Sequence, residues 1–80
     1  MIQVHVKYFA ILKEQRGFEE ETIITPVVTA LELYNHLAQK YKFTLPAERI
    51  RAAINDEFVP INNPLKNNDT IVFLPPMAGG

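Results

Sequence analysis

The sequence PPMAGG at positions 75–80 combines a stiff segment with a slender tip. Two consecutive prolines favour an extended conformation rising about 3.1 Å per residue, so six residues could carry their end roughly 20 Å from a folded body. Gly79 and Gly80 have no side chains and fit a channel too narrow for other residues. A terminal carboxylate, with a pKa of about 3.5, is ionised and unreactive until it is activated, for instance as an acyl adenylate. The pattern predicts a covalent carrier that reacts at Gly80.

The rest of the sequence supplies no catalytic constellation. Cysteine is absent, which excludes disulfides, persulfides, thiolate nucleophiles and zinc–cysteine sites. The two histidines, His5 and His36, have no catalytic or metal-ligating partners at useful spacing, and we interpret them as solvated side chains. We therefore expect no catalytic residue, no metal ion and no bound cofactor in this chain.

The charged residues indicate an ordinary folded domain. The net charge is -1 and there is no basic run, which argues against nucleic-acid binding through phosphate neutralisation. The three glutamates at 19–21 are interpreted as a solvated entrance to a strand. Lys40, Lys42, Arg49 and Arg51 are either a modest basic rim for an acidic partner or a plain solubilising surface.

Patterns in the first half of the sequence predict two strands and two helices. Residues 2–8 alternate apolar and polar as a half-buried strand, and residues 19–25 predict an antiparallel neighbour. Between them, residues 10–16 predict a short helix that Gly17 ends. A capping box at Thr29 and Glu32 begins the main helix. Its apolar stripe consists of Ala30, Leu33, Tyr34, Leu37, Ala38 and Tyr41.

The second half predicts three strands. Residues 51–55 and 57–60 predict short strands around a turn at Asn55-Asp56, and a polar loop then leads to a strand from Thr70. This last strand is apolar on both faces, which is typical of a central position, and we place it beside the first strand. The prediction is an α+β protein with a β-grasp (ubiquitin-like) fold, in which a mixed sheet packs on one main helix. The domain spans residues 1–74, and residues 75–80 form an extended tail.

One long helix can cover only one face of this sheet. The pairs Val72/Leu74 and Ile71/Phe73 point in opposite directions, so one pair is either buried by loops or part of a docking patch. Ordering four tail residues costs about 4–8 kcal/mol, whereas burying Met77 returns only about 1.5–3 kcal/mol. We therefore expect the body to supply most of the affinity for a partner. We predict that Val72 and Leu74 face the partner, because Leu74 adjoins the tail.

The ending FLPPMAGG resembles the carboxyl end of the molybdopterin synthase small subunits, the ubiquitin-like sulfur carriers of molybdenum cofactor synthesis. Three further stretches match that family in order: the opening strand into YFAILKE, then AAINDEFV, then PLKNNDTIVFLPP. The resemblance covers essentially the whole chain, and Pro-Pro-x-x-Gly-Gly is its specific part. Two positions depart from the pattern. Phe73-Leu74 stands where the family often has two aromatics, and Asn67-Asn68-Asp69 stands where many members have a glycine before the aspartate.

This resemblance implies a function that the tail performs together with partner proteins. In the family, a ubiquitin-activating-type enzyme uses ATP to adenylate the terminal glycine, which then becomes a thiocarboxylate with sulfur supplied indirectly by a donor. The tail enters the large subunit of a heterotetramer, where the sulfur passes to a cyclic pyranopterin precursor. By resemblance, Gly80 transiently carries AMP and then sulfur. The residues in the partner's channel would be Pro75, Pro76, Met77, Ala78 and Gly79.

Three alternatives remain open from the residues alone. The chain could be a sulfur carrier of the same fold that serves thiamin thiazole synthesis, a ubiquitin-like modifier that attaches Gly80 to lysines of target proteins, or an interaction domain with an inert tail. The sequence shows no signal peptide, and no apolar run approaches the roughly 20 residues of a membrane span. We expect a cytoplasmic protein without a membrane partner.

Overall fold

A computed structural model describes residues 1–76. Five strands and two α-helices follow one another with one short 3₁₀ helix. In chain order they are β1 (Ile2–Tyr8), α1 (Ala10–Arg16), β2 (Glu20–Thr25), α2 (Ala30–Tyr41), the 3₁₀ helix (Ala47–Arg49), β3 (Arg51–Ile54), β4 (Glu57–Val59) and β5 (Thr70–Leu74). The predicted elements are therefore confirmed. The 3₁₀ helix is an addition to the elements predicted from the sequence.

The strands form one mixed sheet in the order β2-β1-β5-β3-β4. β1 and β5 are parallel, whereas β1 pairs antiparallel with β2 and β3 pairs antiparallel with both β4 and β5. β5 occupies the centre of the sheet beside β1, as its two apolar faces predict. With α2 packed on one face, this architecture is the predicted β-grasp.

Helix α2 begins and ends with defined backbone caps. The Thr29 hydroxyl accepts a hydrogen bond from the Glu32 N–H at 3.2 Å, and the Glu32 carboxylate accepts one from the Thr29 N–H at 3.1 Å. This reciprocal pair is the predicted capping box. The residue after the helix, Lys42, is its C-cap and has a left-handed φ of 60°. At the end of α1, Gly17 has a φ of 92°, which glycine adopts without a steric penalty.

The hydrophobic core lies between α2 and one face of the sheet, called the inner face. Ile71 and Phe73 of β5 are fully buried on this face, and Phe73 packs edge-on against Tyr34 of α2 with ring centroids 5.3 Å apart. The core residues are Val4, Val6, Tyr8, Leu12, Ala30, Leu33, Tyr34, Leu37, Ile50, Ala52, Ile54, Leu65, Ile71 and Phe73. Residues that alternate with these on the strands point to the opposite face, the outer face.

Two polar turns hold the start of β5. Asn55 and Asp56 both have positive φ, 52° and 72°, which is the backbone of a tight two-residue hairpin between β3 and β4. The buried Asp69 carboxylate accepts hydrogen bonds from the Asn55 side-chain amide at 2.9 Å and from the Lys66 N–H at 2.8 Å. Asn68, at the position before the aspartate where many members of the similar family have glycine, has a left-handed φ of 71°, which asparagine tolerates. These contacts fix where β5 enters the sheet and, therefore, where it leaves.

Candidate functional site

The tail leaves the sheet from its central strand. At the carboxyl end of β5, Phe73 lies opposite Tyr8 of β1, and Leu74 lies opposite Arg51 of β3. Pro75 is half-buried and Pro76 is exposed, so the chain emerges at the end of the sheet between β1 and β3. The predicted carrier position Gly80 and the predicted channel residues Met77, Ala78 and Gly79 lie outside the described residues.

Next to this exit, an apolar group of side chains occupies the outer face. Val72 and Leu74 are half-buried and point away from the core that holds Ile71 and Phe73. The strand register extends this surface across the sheet: Phe58 of β4 lies opposite Ala53 of β3, and Ala53 lies opposite Val72. We call the surface formed by Arg51, Ala53, Phe58, Val72 and Leu74 the outer patch.

Phe58 and Arg51 form the projecting edge of the outer patch. The Phe58 side chain is 64% exposed, an unusual environment for a large aromatic residue. The guanidinium carbon of Arg51 lies 4.9 Å from the centre of the Phe58 ring, within cation–π range. Phe58 and Ala53 were not predicted as site residues from the sequence. The alternation of side chains along β3 and β4 indicates that these two residues share a face. Only the pairing of β3 with β5 shows that Val72 lies on the same face.

On the opposite side, the outer patch gives way to polar residues. Val72 lies opposite Lys7 of β1, and Lys7 lies opposite Glu20 of β2. Further along the same two strands, His5 and Thr22 face each other, with the imidazole Nδ1 2.8 Å from the Thr22 hydroxyl. The outer face is therefore apolar near β3–β5–β4 and mainly polar near β1–β2, where Ile24 is an exposed apolar exception.

A cluster of hydrogen bonds lies on the inner side near the same end of the sheet. The Glu21 carboxylate accepts hydrogen bonds from Arg16 at 2.9 and 3.1 Å, from the Tyr8 hydroxyl at 2.6 Å and from the Tyr41 hydroxyl at 3.3 Å. The Arg16 guanidinium also lies 4.2 Å from the centre of the Tyr41 ring. The interpretation of residues 19–21 as a solvated segment is therefore wrong for Glu21. Its strand position puts it on the inner face, opposite Val6.

The cluster shifts the pKa values of its members. Hydrogen bonding to Arg16 is the main reason that the pKa of Glu21 lies below its usual value. Burial, with the hydrogen bond to Glu21, raises the pKa of Tyr8 well above its usual range. Hydrogen bonding to Glu21 likewise raises the pKa of Arg16. These directions describe a stable ion pair beside a neutral Tyr8 phenol. The cluster joins α1, β1, β2 and α2.

The remaining candidate residues do not assemble into a site. His36 is exposed on α2, whereas His5 lies on the outer face of the sheet. Within residues 1–76, no three His, Cys, Asp or Glu side chains are grouped as metal ligands. No helix in this part of the chain is both long and apolar enough to cross a membrane.

Comparisons with known proteins agree on one family. A family model described as the ThiS family matches residues 6–80. A molybdopterin synthase sulfur carrier subunit from Haemophilus influenzae is 32% identical to this chain over 80 residues, which cover 96% of this chain and 99% of that protein.

Two solved structures extend this comparison. One is a complex of subunits 1 and 2 of the molybdopterin-converting factor from Helicobacter pylori, with 31% identity, a TM-score of 0.67 and coverage of 99% of this chain and 100% of that chain. The other is the solution structure of small archaeal modifier protein 1 from Methanosarcina acetivorans. It has 26% identity, a TM-score of 0.77 and coverage of 100% of this chain and 98% of that chain.

Proposed function

The chain belongs to the ThiS family, and from this premise we propose that it is the sulfur carrier subunit of a molybdopterin synthase. The observation that carries the proposal is that the family match continues through Gly80, so it includes the Gly-Gly tail as well as the β-grasp body. The Haemophilus influenzae relative, matched over 99% of its length, bears the name of this function.

The proposed chemistry takes place on the carboxylate of Gly80. A partner enzyme catalyses attack of this carboxylate on the α-phosphate of ATP, which gives an acyl adenylate and releases pyrophosphate. Sulfur at the oxidation level of sulfide then displaces AMP and leaves a thiocarboxylate. Within the large subunit, the thiocarboxylate sulfur transfers to the pyranopterin precursor, and water restores the carboxylate. This chain contributes the carried group, and its partners contribute the catalysis.

The body of the domain has a separate task in this proposal, which is to hold the partner while the tail reacts. The outer patch supports this role because it is apolar apart from Arg51, lies beside the exit of the tail and includes an exposed aromatic residue. Aromatic and arginine side chains often carry a large share of the binding energy in protein interfaces. We propose that Val72 and Leu74 lie in the centre of the contact with the large subunit.

Replacing Leu74 with glutamate tests the docking role. Burying an unpaired carboxylate in an apolar contact is unfavourable, so we expect Leu74→Glu to weaken binding to the large subunit by more than about tenfold, or about 1.4 kcal/mol. The measurements are titration calorimetry for binding and a thermal melt for folding. Phe73→Glu is the matched comparison, since Phe73 is fully buried, and it should unfold the domain. Unchanged binding, or unfolding of the Leu74 variant, would contradict the proposal.

A second candidate function is protein modification. The similarity to small archaeal modifier protein 1 favours it, because that protein is named as a modifier and has the same fold. In this case the activated Gly80 would be attacked by a lysine amine instead of a sulfur nucleophile, giving an isopeptide bond. The two functions share activation and differ in the acceptor, so the products that form in cells distinguish them.

A further inference from the structure

Arg51 lies at the end of the outer patch beside the exit of the tail. It lies opposite Leu74, the last residue of β5, and its guanidinium lies over the Phe58 ring. It also borders a shallow cleft of about 420 Å³ at the β4 edge, which Glu48 and Pro60 help to line. A cation at this place would be enclosed by any protein that covers Leu74 and Phe58.

No carboxylate of the described residues neutralises Arg51. Within residues 1–76, the ion pair closer than 4.0 Å joins Arg16 to Glu21, and Glu48 is not within that distance of Arg51 although both border the cleft. The aromatic ring supports only one face of the guanidinium plane. The N–H donors along the edges of this plane are therefore available to a partner.

Docking of a partner on the outer patch would remove water from the Arg51 guanidinium and so change its solvation free energy. In the free domain, water solvates the exposed guanidinium, and an interface that covers the outer patch removes that water. A charge that is buried without a counter-charge is costly. Arginine presents a planar fork of donors that matches a carboxylate at two points. Covering the patch therefore favours a partner that supplies a carboxylate at this place and disfavours one that does not.

Building on the proposed function, we infer that Arg51 is a specificity-determining residue that binds an aspartate or glutamate side chain of the large subunit beside the mouth of its channel. The stacked Phe58 ring holds the guanidinium in place, and the partner's carboxylate completes its coordination. A partner without this carboxylate would bind the same apolar patch less tightly.

Charge-neutral and charge-conserving replacements of Arg51 test this inference in the full-length chain. The binding of Arg51→Gln and Arg51→Lys to the cognate large subunit is measured by titration calorimetry and stopped-flow kinetics, at low and at high salt. Arg49→Gln is the matched control, because Arg49 is also exposed but lies on the 3₁₀ helix, outside the outer patch. Thermal melts of all variants report on folding.

We expect Arg51→Gln to weaken binding roughly tenfold or more, mainly through faster dissociation, and to make binding less sensitive to salt. Arg51→Lys retains the charge but loses the planar fork, so its affinity should fall between those of Arg51→Gln and the unaltered chain. Arg49→Gln should bind within about twofold of the unaltered chain.

Three results would overturn the inference. The first is an Arg51→Gln variant that binds like Arg49→Gln. The second is a loss of affinity that is equal at low and high salt, which would indicate packing on Phe58 without a partner carboxylate. The third is an Arg51→Lys variant as weak as Arg51→Gln. If Leu74→Glu weakens binding in the same experiment, the docking role survives any of these results. If Leu74→Glu binds normally, the proposed docking face itself is wrong.

Discussion

At the scale of single residues, Glu21 connects its own strand to three other elements at the tail end of the sheet. Its carboxylate accepts hydrogen bonds from Arg16, Tyr8 and Tyr41, and the Glu21 and Arg16 side chains are only 17% and 16% exposed. Tyr8 is also the strand neighbour of Phe73, two positions before the first proline. Loss of the carboxylate would leave partly buried donors without their acceptor, which costs more than the loss of a surface ion pair.

Replacing Glu21 with glutamine should therefore lower the free energy of unfolding by about 1–3 kcal/mol at neutral pH. Because the pKa of Glu21 is lowered in the folded state, its stabilisation is fully present above the unfolded pKa of about 4.3. This stabilisation is lost as the pH falls through the lower folded pKa. The difference between the unaltered chain and Glu21→Gln should thus shrink below pH 4.3 or so. Urea unfolding across this range measures it.

The neighbouring glutamate provides the control for this experiment. Glu20 lies on the same strand and is exposed, so Glu20→Gln should change stability by no more than about 0.5 kcal/mol. Equal effects of the two substitutions, or a Glu21→Gln difference that stays constant down to strongly acidic pH, would show that the ion pair does not stabilise the fold.

At the scale of elements, local signals in the sequence were sufficient to predict α2 and the strands. They were not sufficient to predict which side chains of different elements lie next to each other. The capping box at Thr29 and the stripe along α2 predicted that helix, because both act within a few residues. The placement of Phe58 on the same surface as Val72 depends on the register of β3 with both β4 and β5, which aligns residues far apart in sequence. The hydrogen bonds of Glu21 were not predicted for the same reason, since its partners lie on three other elements.

The capping box makes a prediction at this scale. Replacing Thr29 with alanine removes the acceptor for the Glu32 N–H, and we expect a loss of about 0.5–2 kcal/mol in unfolding free energy. For a domain of this size, each kcal/mol lowers Tm by roughly 4–8 °C. Thr29→Ser keeps the hydroxyl and should retain most of the stability. A thermal melt that places both variants at the same Tm would contradict the role of the cap.

At the scale of the whole molecule, the two faces of the sheet differ in their proposed roles: the inner face stabilises the fold and the outer face binds the partner. The inner face, covered by α2, contains the fully buried side chains, and the outer face carries the apolar patch beside the exit of the tail. Substitutions on the outer face should therefore reduce binding before they reduce stability. The core residues identified among residues 1–76 all lie at or before Phe73, so we expect loss of Gly80 to leave the melting temperature of the domain unchanged.

The intact mass of the chain purified from its native cells tests the central claim most directly. As a sulfur carrier, a fraction of the chain should show the mass change of one oxygen-to-sulfur exchange, located on Gly80 by fragmentation. The change should be absent from cells that lack the adenylating enzyme and from a variant without Gly80. Isopeptide conjugates of Gly80 with lysines in place of the thiocarboxylate would contradict this account, as would an unmodified chain in cells that are making molybdopterin.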